Sequence, residues 1–168
     1  MSEIPSQFEH QDVEKKWVQN WKAEKTYAYR PAVQPRFVID TPPPTVSGSL
    51  HIGHVFSYTQ TDAIARYQRM QGRNVFYPMG WDDNGLPTER RVQNLYGIVC
   101  DPKISYDSKF EAKLVSDEKA PKQAISRQNF MEACYKQTAE DEKKYEALWR
   151  NLGLSIDWEK QYATIDPH

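Results

Sequence analysis

Cysteine is scarce in this sequence: Cys100 and Cys134 are its 2 thiols in 168 residues, and neither has a second Cys near enough for a C-x-x-C clip. A disulfide framework and a zinc ribbon are therefore not suggested, and reduced thiols are the expectation. No run of apolar residues approaches the roughly 18 needed to cross a bilayer. The opening residues Met1-Ser2-Glu3-Ile4-Pro5 lack the basic and apolar regions of a signal peptide, so a cytoplasmic protein with no membrane partner is expected. Excess charge is missing too. With 22 basic and 23 acidic side chains, a net charge of −1 and a pI near 6.4, the chain has no broad basic surface for phosphate backbones, and any nucleic acid must be held largely elsewhere. There are no internal repeats and no low-complexity tract.

What is present is the material of a folded core. Hydrophobic residues make up 39% of the chain, with 5 Trp, 10 Tyr and 6 Phe, which excludes a disordered tail. The length suits one ordinary domain or one half of a larger α/β catalytic domain.

Apolar residues recur three and four apart at Val13, Trp17, Val18 and Trp21, predicting an amphipathic helix from Phe8 to about Lys25 that lies on a larger body. Arg36 to Thr41 carries Phe37-Val38-Ile39 and stops at Pro42-Pro43-Pro44, as a buried strand turning into a stiff loop does. A helical pattern through Ile52, Val55, Phe56, Ala63, Ile64, Tyr67 and Met70 runs to Gly72, a residue suited to follow a helix end. Asn74 to Met79 reads as a second strand, Gly80 to Gly85 as a loop, and Pro87 as the first turn of a helix that Gly97 closes. Residues 101–126 are charged and aperiodic, predicting an irregular surface excursion of little function. Ser126 can cap a helix with Phe130, Cys134, Tyr145, Leu148, Trp149 and Leu152 on its core face, ended by Gly153; Tyr162 to Asp166 resembles a third strand. Strands alternating with helices imply an α/β fold with a mostly parallel sheet covered on both faces. The division expected is a helical segment at 1–35 followed by one α/β unit at 36–168.

In such a sheet, ligands bind where strand ends turn into helices. His51-Ile52-Gly53-His54 stands at the start of the first long helix, with both imidazoles on one face near its positive end, where phosphate oxygens bind well. Gly53 removes a side chain where a base or ribose must approach. Taken alone, an H-x-x-H pair is more often surface or capping chemistry. It is a poor metal pattern, since no third ligand is near and Ile and Gly replace the Glu of a zinc hydrolase helix. Asp82 alone also admits a turn or capping reading, the less favoured of the two.

The surrounding residues are specific. The run from Thr41 through Pro42, Pro43, Pro44, Thr45 and Val46 to His54 resembles the HIGH signature of class I aminoacyl-tRNA synthetases, in the form found in valyl enzymes. Gly80-Trp81-Asp82-Asp83-Asn84-Gly85-Leu86-Pro87-Thr88-Glu89 is similar to the GWD-x-x-GLP-x-E segment of the valyl, isoleucyl and leucyl group. Leu152 to Trp158 and Tyr162 to Asp166 fit the same group just ahead of its editing insertion. The likeness covers nearly the whole chain. Two departures stand out: Thr45 replaces an Asn common in valyl enzymes, and the Trp81–Asn84 loop is spelled more like the isoleucyl or leucyl version.

The resemblance implies the first half of a Rossmann-like (HUP-type) nucleotide-binding domain with parallel strands flanked by helices. It implies valine and ATP, with Mg²⁺ on the leaving phosphates, as substrates, and no structural metal. It also implies tRNA(Val) as a partner held mostly by parts outside this sequence, in a family usually monomeric. His51, Gly53 and His54 would bind ATP, with both imidazoles catalytic; Pro42, Pro43, Thr45 and Asp82 would bind the amino acid, Asp82 through its ammonium. No KMSKS run occurs, so half an active site is expected, inactive alone. The rival expectations are an isoleucyl- or leucyl-type piece, another HIGH-type nucleotidyltransferase such as a small cytidylyltransferase, and a truncated synthetase-like binding module.

Overall fold

In the computed structural model, which describes residues 8–47, 50–117 and 121–167, Arg36–Val38 forms strand β1 and Asn74–Phe76 forms β2. Met1 to Pro5, Gly48, Ser49 and residues 118–120, all used in the sequence reading, lie outside the described residues. The two strands pair in parallel, Arg36 opposite Asn74 and Val38 opposite Phe76. Parallel strands need a long crossover, and helix α2 (Ile52–Met70) is part of that connection. Gly72 follows it with a φ of 77°, a conformation that favours glycine. The expected order of strand, helix, strand and helix is completed by α3 (Leu86–Tyr96), which carries Pro87 in its first turn and Gly97 in the left-handed conformation at its end.

Contacts divide the chain into two compact units that alternate along it. One holds Met1–Thr41, Val55–Met79 and Ala147–Lys160, the other Pro42–His54, Gly80–Glu146 and Gln161–His168.

In the first unit, Val75, Tyr77, Met79, Ala65, Tyr58 and Trp149 are buried, and the Tyr58 and Trp149 rings stack with centroids 4.9 Å apart. A polar knot ties α2 to the segment around residue 155. Buried Asp62 accepts from the Ser155 amide at 2.6 Å, the Ser155 hydroxyl at 2.5 Å and Arg66 Nε at 2.6 Å, so every donor aimed at this carboxylate is charge-assisted. Arg66 also donates to the Gly153 carbonyl. The N-terminal helix α1 is present at His10–Ala23, yet none of its residues is buried. Its two Trp rings lie against each other at 6.3 Å, with Trp17 48% exposed, so part of the apolar stripe is covered by its own side chains. Strand β1 is also less buried than its Phe37-Val38-Ile39 run suggests: only Ile39, just after it, is buried, while Val38 is 61% exposed. Arg73 lies over the Phe37 ring at 5.8 Å, an arrangement a solvent-facing strand permits.

The second unit contains β3 (Gly80–Trp81), β4 (Ile98–Cys100), β5 (Gln123–Ile125), most of α4 (Arg127–Asn151) and β6 (Tyr162–Ala163). Its core gathers Val92, Ile98, Ile125, Phe130 and Ala133. The expected cap is in place, with the Asn129 amide donating to Ser126 Oγ at 3.1 Å. Arg91 binds Asp141 through Nε at 2.6 Å and a second nitrogen at 3.0 Å, a bidentate pair fixing α3 to α4. Gly80, expected in a loop, is in a strand paired in parallel with Tyr162. A Cβ at Gly80 would sit 2.4 Å from the Tyr162 ring, so the pairing depends on the missing side chain. The excursion at 101–126 ends in β5, which pairs with β4. Its earlier part is held by turns in which Asp101 and Asp107 accept the amides two residues on. Among the described residues all strand pairs are parallel, but they form three two-stranded pairs and not one continuous ladder.

Candidate functional site

Every residue expected to bind amino acid or nucleotide, Pro42, Pro43, Thr45, His51, Gly53, His54 and Asp82, falls in the second unit. Three prolines in a row carry no amide donors, so the chain from 42 to 44 offers only carbonyls to a neighbour. The Asp82 amide takes one of them, donating to the Pro44 carbonyl at 3.0 Å, and the Val46 amide returns a bond to the Asp82 carbonyl at 3.0 Å. These two bonds form a single parallel bridge between Thr45 and Asp82. Side chains repeat the pairing: Thr45 Oγ1 donates to Asp82 Oδ2 at 3.0 Å. Thr45, the position that departs from the valyl spelling, thus orients the carboxylate while leaving its other oxygen outside that bond.

The two imidazoles are organised by the start of α2. The Gly53 amide donates to His51 Nδ1 at 3.1 Å, the geometry of a side-chain N-cap, so the capping role weighed from sequence is occupied. A Cβ on Gly53 would lie 2.9 Å from His51 Nδ1 and Cε1; the glycine makes room for the folded-back ring of its neighbour. The His51 amide in turn points at His54 Nδ1 at 3.4 Å, and the rings lie 4.0 Å apart. With both Nδ1 atoms accepting, the hydrogen-bond network assigns each neutral ring the tautomer with its proton on Nε2. Burial, then the neighbouring His51, hold the His54 pKa below its ordinary value, so at neutral pH it offers a neutral N–H donor.

Tyr145, which sequence reasoning placed only on a core face, joins these pieces. Its ring meets the His54 ring edge-on at 5.8 Å and the Trp81 ring at 6.4 Å, and its hydroxyl donates to the Thr45 carbonyl at 3.3 Å. No sequence signal marks it, because a tyrosine on a helix stripe is compatible with any core. Pro44 is buried, Pro43 half-buried and Pro42 exposed.

A second carboxyl, Asp83, has no role among those expected from the sequence. It is 4% exposed, and burial, then Asp82 and Asp166, push its pKa up against the opposing hydrogen bond with Glu142. Glu142 itself is pushed up to about 7 by burial, by the Asp83 charge and by the hydrogen bond between them. The two behave as one proton-sharing pair, with Glu142 keeping the proton.

The family of class I tRNA synthetases (I, L, M and V) matches residues 16–105 and 100–168, and the chain belongs to that family. Curated relatives include the valine–tRNA ligase of Thermobifida fusca, 57% identical over 165 residues that cover 97% of this chain and 19% of the relative. The valine–tRNA ligase of Cutibacterium acnes is 55% identical over 98% of this chain and 19% of its own length. The chain therefore spans 19% of the length of these relatives. Among solved structures, the Agrobacterium radiobacter LeuRS in a ternary complex with tRNA and LeuAMS superimposes with a TM-score of 0.69 at 26% identity, over 96% of this chain and 16% of that one. Among the described residues no helix is long and apolar enough to cross a membrane.

Proposed function

We propose that this chain carries the HIGH half of a valine-activating site, in which valine and ATP form valyl-adenylate and the valyl group passes to tRNA(Val). The observation that carries the proposal is the Thr45–Asp82 pairing, one hydroxyl-to-carboxylate bond of 3.0 Å, in the same unit as two imidazoles whose Nδ1 atoms both accept backbone amides and so carry their protons on Nε2. Asp82 takes the α-ammonium of valine, Thr45 fixes that carboxylate, and Pro42 and Pro43 wall the small branched side chain. The valine carboxylate attacks the α-phosphorus of ATP, and pyrophosphate leaves. No protein nucleophile is needed, so the residues act by positioning and by stabilising charge on the phosphoryl oxygens. His51 and His54 donate from Nε2 to those oxygens as negative charge builds. Mg²⁺, when bound with ATP, neutralises phosphate charge; among the described residues no group of His, Cys, Asp or Glu can hold a metal, and no step here runs through it. Residues 1–35 are a helical lead-in to the catalytic domain in this reading, and tRNA contacts fall mostly outside the chain.

ATP–pyrophosphate exchange in the complete synthetase tests the assignment. Loss of one such donor costs about 3 kcal/mol in the transition state, so His54→Ala slows exchange roughly a hundredfold with little loss of fold. An unchanged exchange rate removes His54 from the site. A second reading, isoleucine or leucine activation, rests on the Trp81–Asn84 spelling; exchange rates with the three amino acids separate the readings, valine being expected to be fastest.

A further inference from the structure

Buried polar side chains are nearly always partnered, since leaving one dry and unbonded costs free energy. Among the described residues of the second unit this rule fails in one place. Neither the carboxylate of Asp83 nor the hydroxyl of Thr88 meets a hydrogen-bond partner among the described residues apart from the Glu142 carboxyl that faces Asp83, although the two residues are only 4% and 3% exposed. The group that faces Asp83 is another carboxyl, Glu142, which can supply a single proton. Both residues line the same cleft, about 520 Å³ in volume, whose other walls combine Phe130, Met131, Cys134 and Ile165 with the charged Glu89 and Arg127. Cys134 counts as an apolar wall, because burial pushes its thiol up to about 11. The volume is that of a small-molecule site, and the pattern of apolar walls with a few convergent polar atoms is the usual one.

We propose that this cleft binds a small alkylammonium: a cationic nitrogen with two or three N–H donors, held by the Asp83 carboxylate and the Thr88 hydroxyl, carrying a short apolar tail against Phe130, Met131 and Ile165. A buried carboxylate offered a single proton, that of Glu142, calls for a cation with N–H groups, and the Thr88 hydroxyl supplies a second acceptor. Among the described residues there is no set of three or more His, Cys, Asp or Glu side chains that could hold a metal ion instead. The site lies one residue from Asp82 in sequence but uses a different carboxylate, and it does not depend on the amino-acid-binding role proposed for Asp82.

Titration of the uniformly ¹⁵N-labelled 168-residue chain with isobutylammonium, followed by amide shifts, tests this. The expected result is saturable binding at roughly millimolar concentration, with shifts at Thr88 and Met131. Affinity should fall about tenfold or more in Asp83→Asn and persist in Asp82→Asn. Met131 is 41% exposed, so Met131→Trp should fill the cleft and block binding without unfolding the chain. Isobutanol, the same shape without charge, should bind at least about tenfold more weakly. The inference is overturned by an absence of saturable shifts up to about 50 mM, by equal binding of the alcohol, or by binding lost in Asp82→Asn and kept in Asp83→Asn.

Discussion

Replacing Glu142 by Gln removes one proton-binding site and leaves a side-chain amide that can donate to Asp83. Glu142 is held at about 7 against an ordinary 4.5, with burial first and then Asp83, Asp166 and Glu146 as causes. The folded chain thus binds this proton more tightly than the unfolded chain. The stabilisation is complete below about pH 4.5 and is lost as pH rises through about 7. The full shift would correspond to at most about 3.5 kcal/mol, and solvent screening at this half-buried carboxyl reduces the expected change between about pH 5.5 and about pH 8 to about 1 kcal/mol. In a chain of this length that is roughly 2–4 °C in melting temperature. Glu142→Gln should therefore match the parent chain near pH 5.5 and exceed it near pH 8. Taking the difference between the two proteins at each pH cancels the titration of groups that do not interact with Glu142, leaving that of the Glu142–Asp83 pair. Urea unfolding followed by tryptophan fluorescence provides the measurement. A difference that is the same at both pH values, or that favours the parent chain at high pH, would refute the shared proton.

Three further outcomes follow from contacts within single units. Asp62→Ala strands the Ser155 amide and the Arg66 guanidinium; it should destabilise the first unit by about 3 kcal/mol in denaturant unfolding, and a loss below about 1 kcal/mol would mean the carboxylate is not their anchor. Gly80→Ala drives a methyl into the Tyr162 ring, at 2.4 Å without relaxation, and should cost about 2–3 kcal/mol; most of that should be recovered in the double variant with Tyr162→Ala, whose stability relative to the single variants measures the coupling. In an NMR titration His54 should lose its proton below the ordinary histidine value, because burial and then His51 disfavour its charged form; a midpoint above about 6.5 would contradict the geometry of the paired rings.

Where local rules suffice, the amino-acid order is enough. Gly72 and Gly97 end their helices because each must take a positive φ, Ser126 caps α4, and the β1–α2–β2 order is written in hydrophobic periods interrupted by proline and glycine. The linear motifs placed the chain in its family and named Thr45, Asp82, His51 and His54 as candidates. Three-dimensional packing settled the rest. Strands of two or three residues, such as β3 and β5, are shorter than the period that would reveal them, so Gly80 reads as loop in the sequence and is strand only through its pairing with Tyr162. Periodicity in α1 marked a stripe but could not say whether another element covers it, and the two Trp rings cover part of it themselves. Tyr145 lies one hundred residues from Thr45, and Glu142 is far along the chain from Asp83. Contacts at such separation depend on how helices and strands pack, and neither residue carries a local signal for its partner. The same holds for the tautomers of His51 and His54, because a proton on Nε2 follows from which backbone amides reach Nδ1.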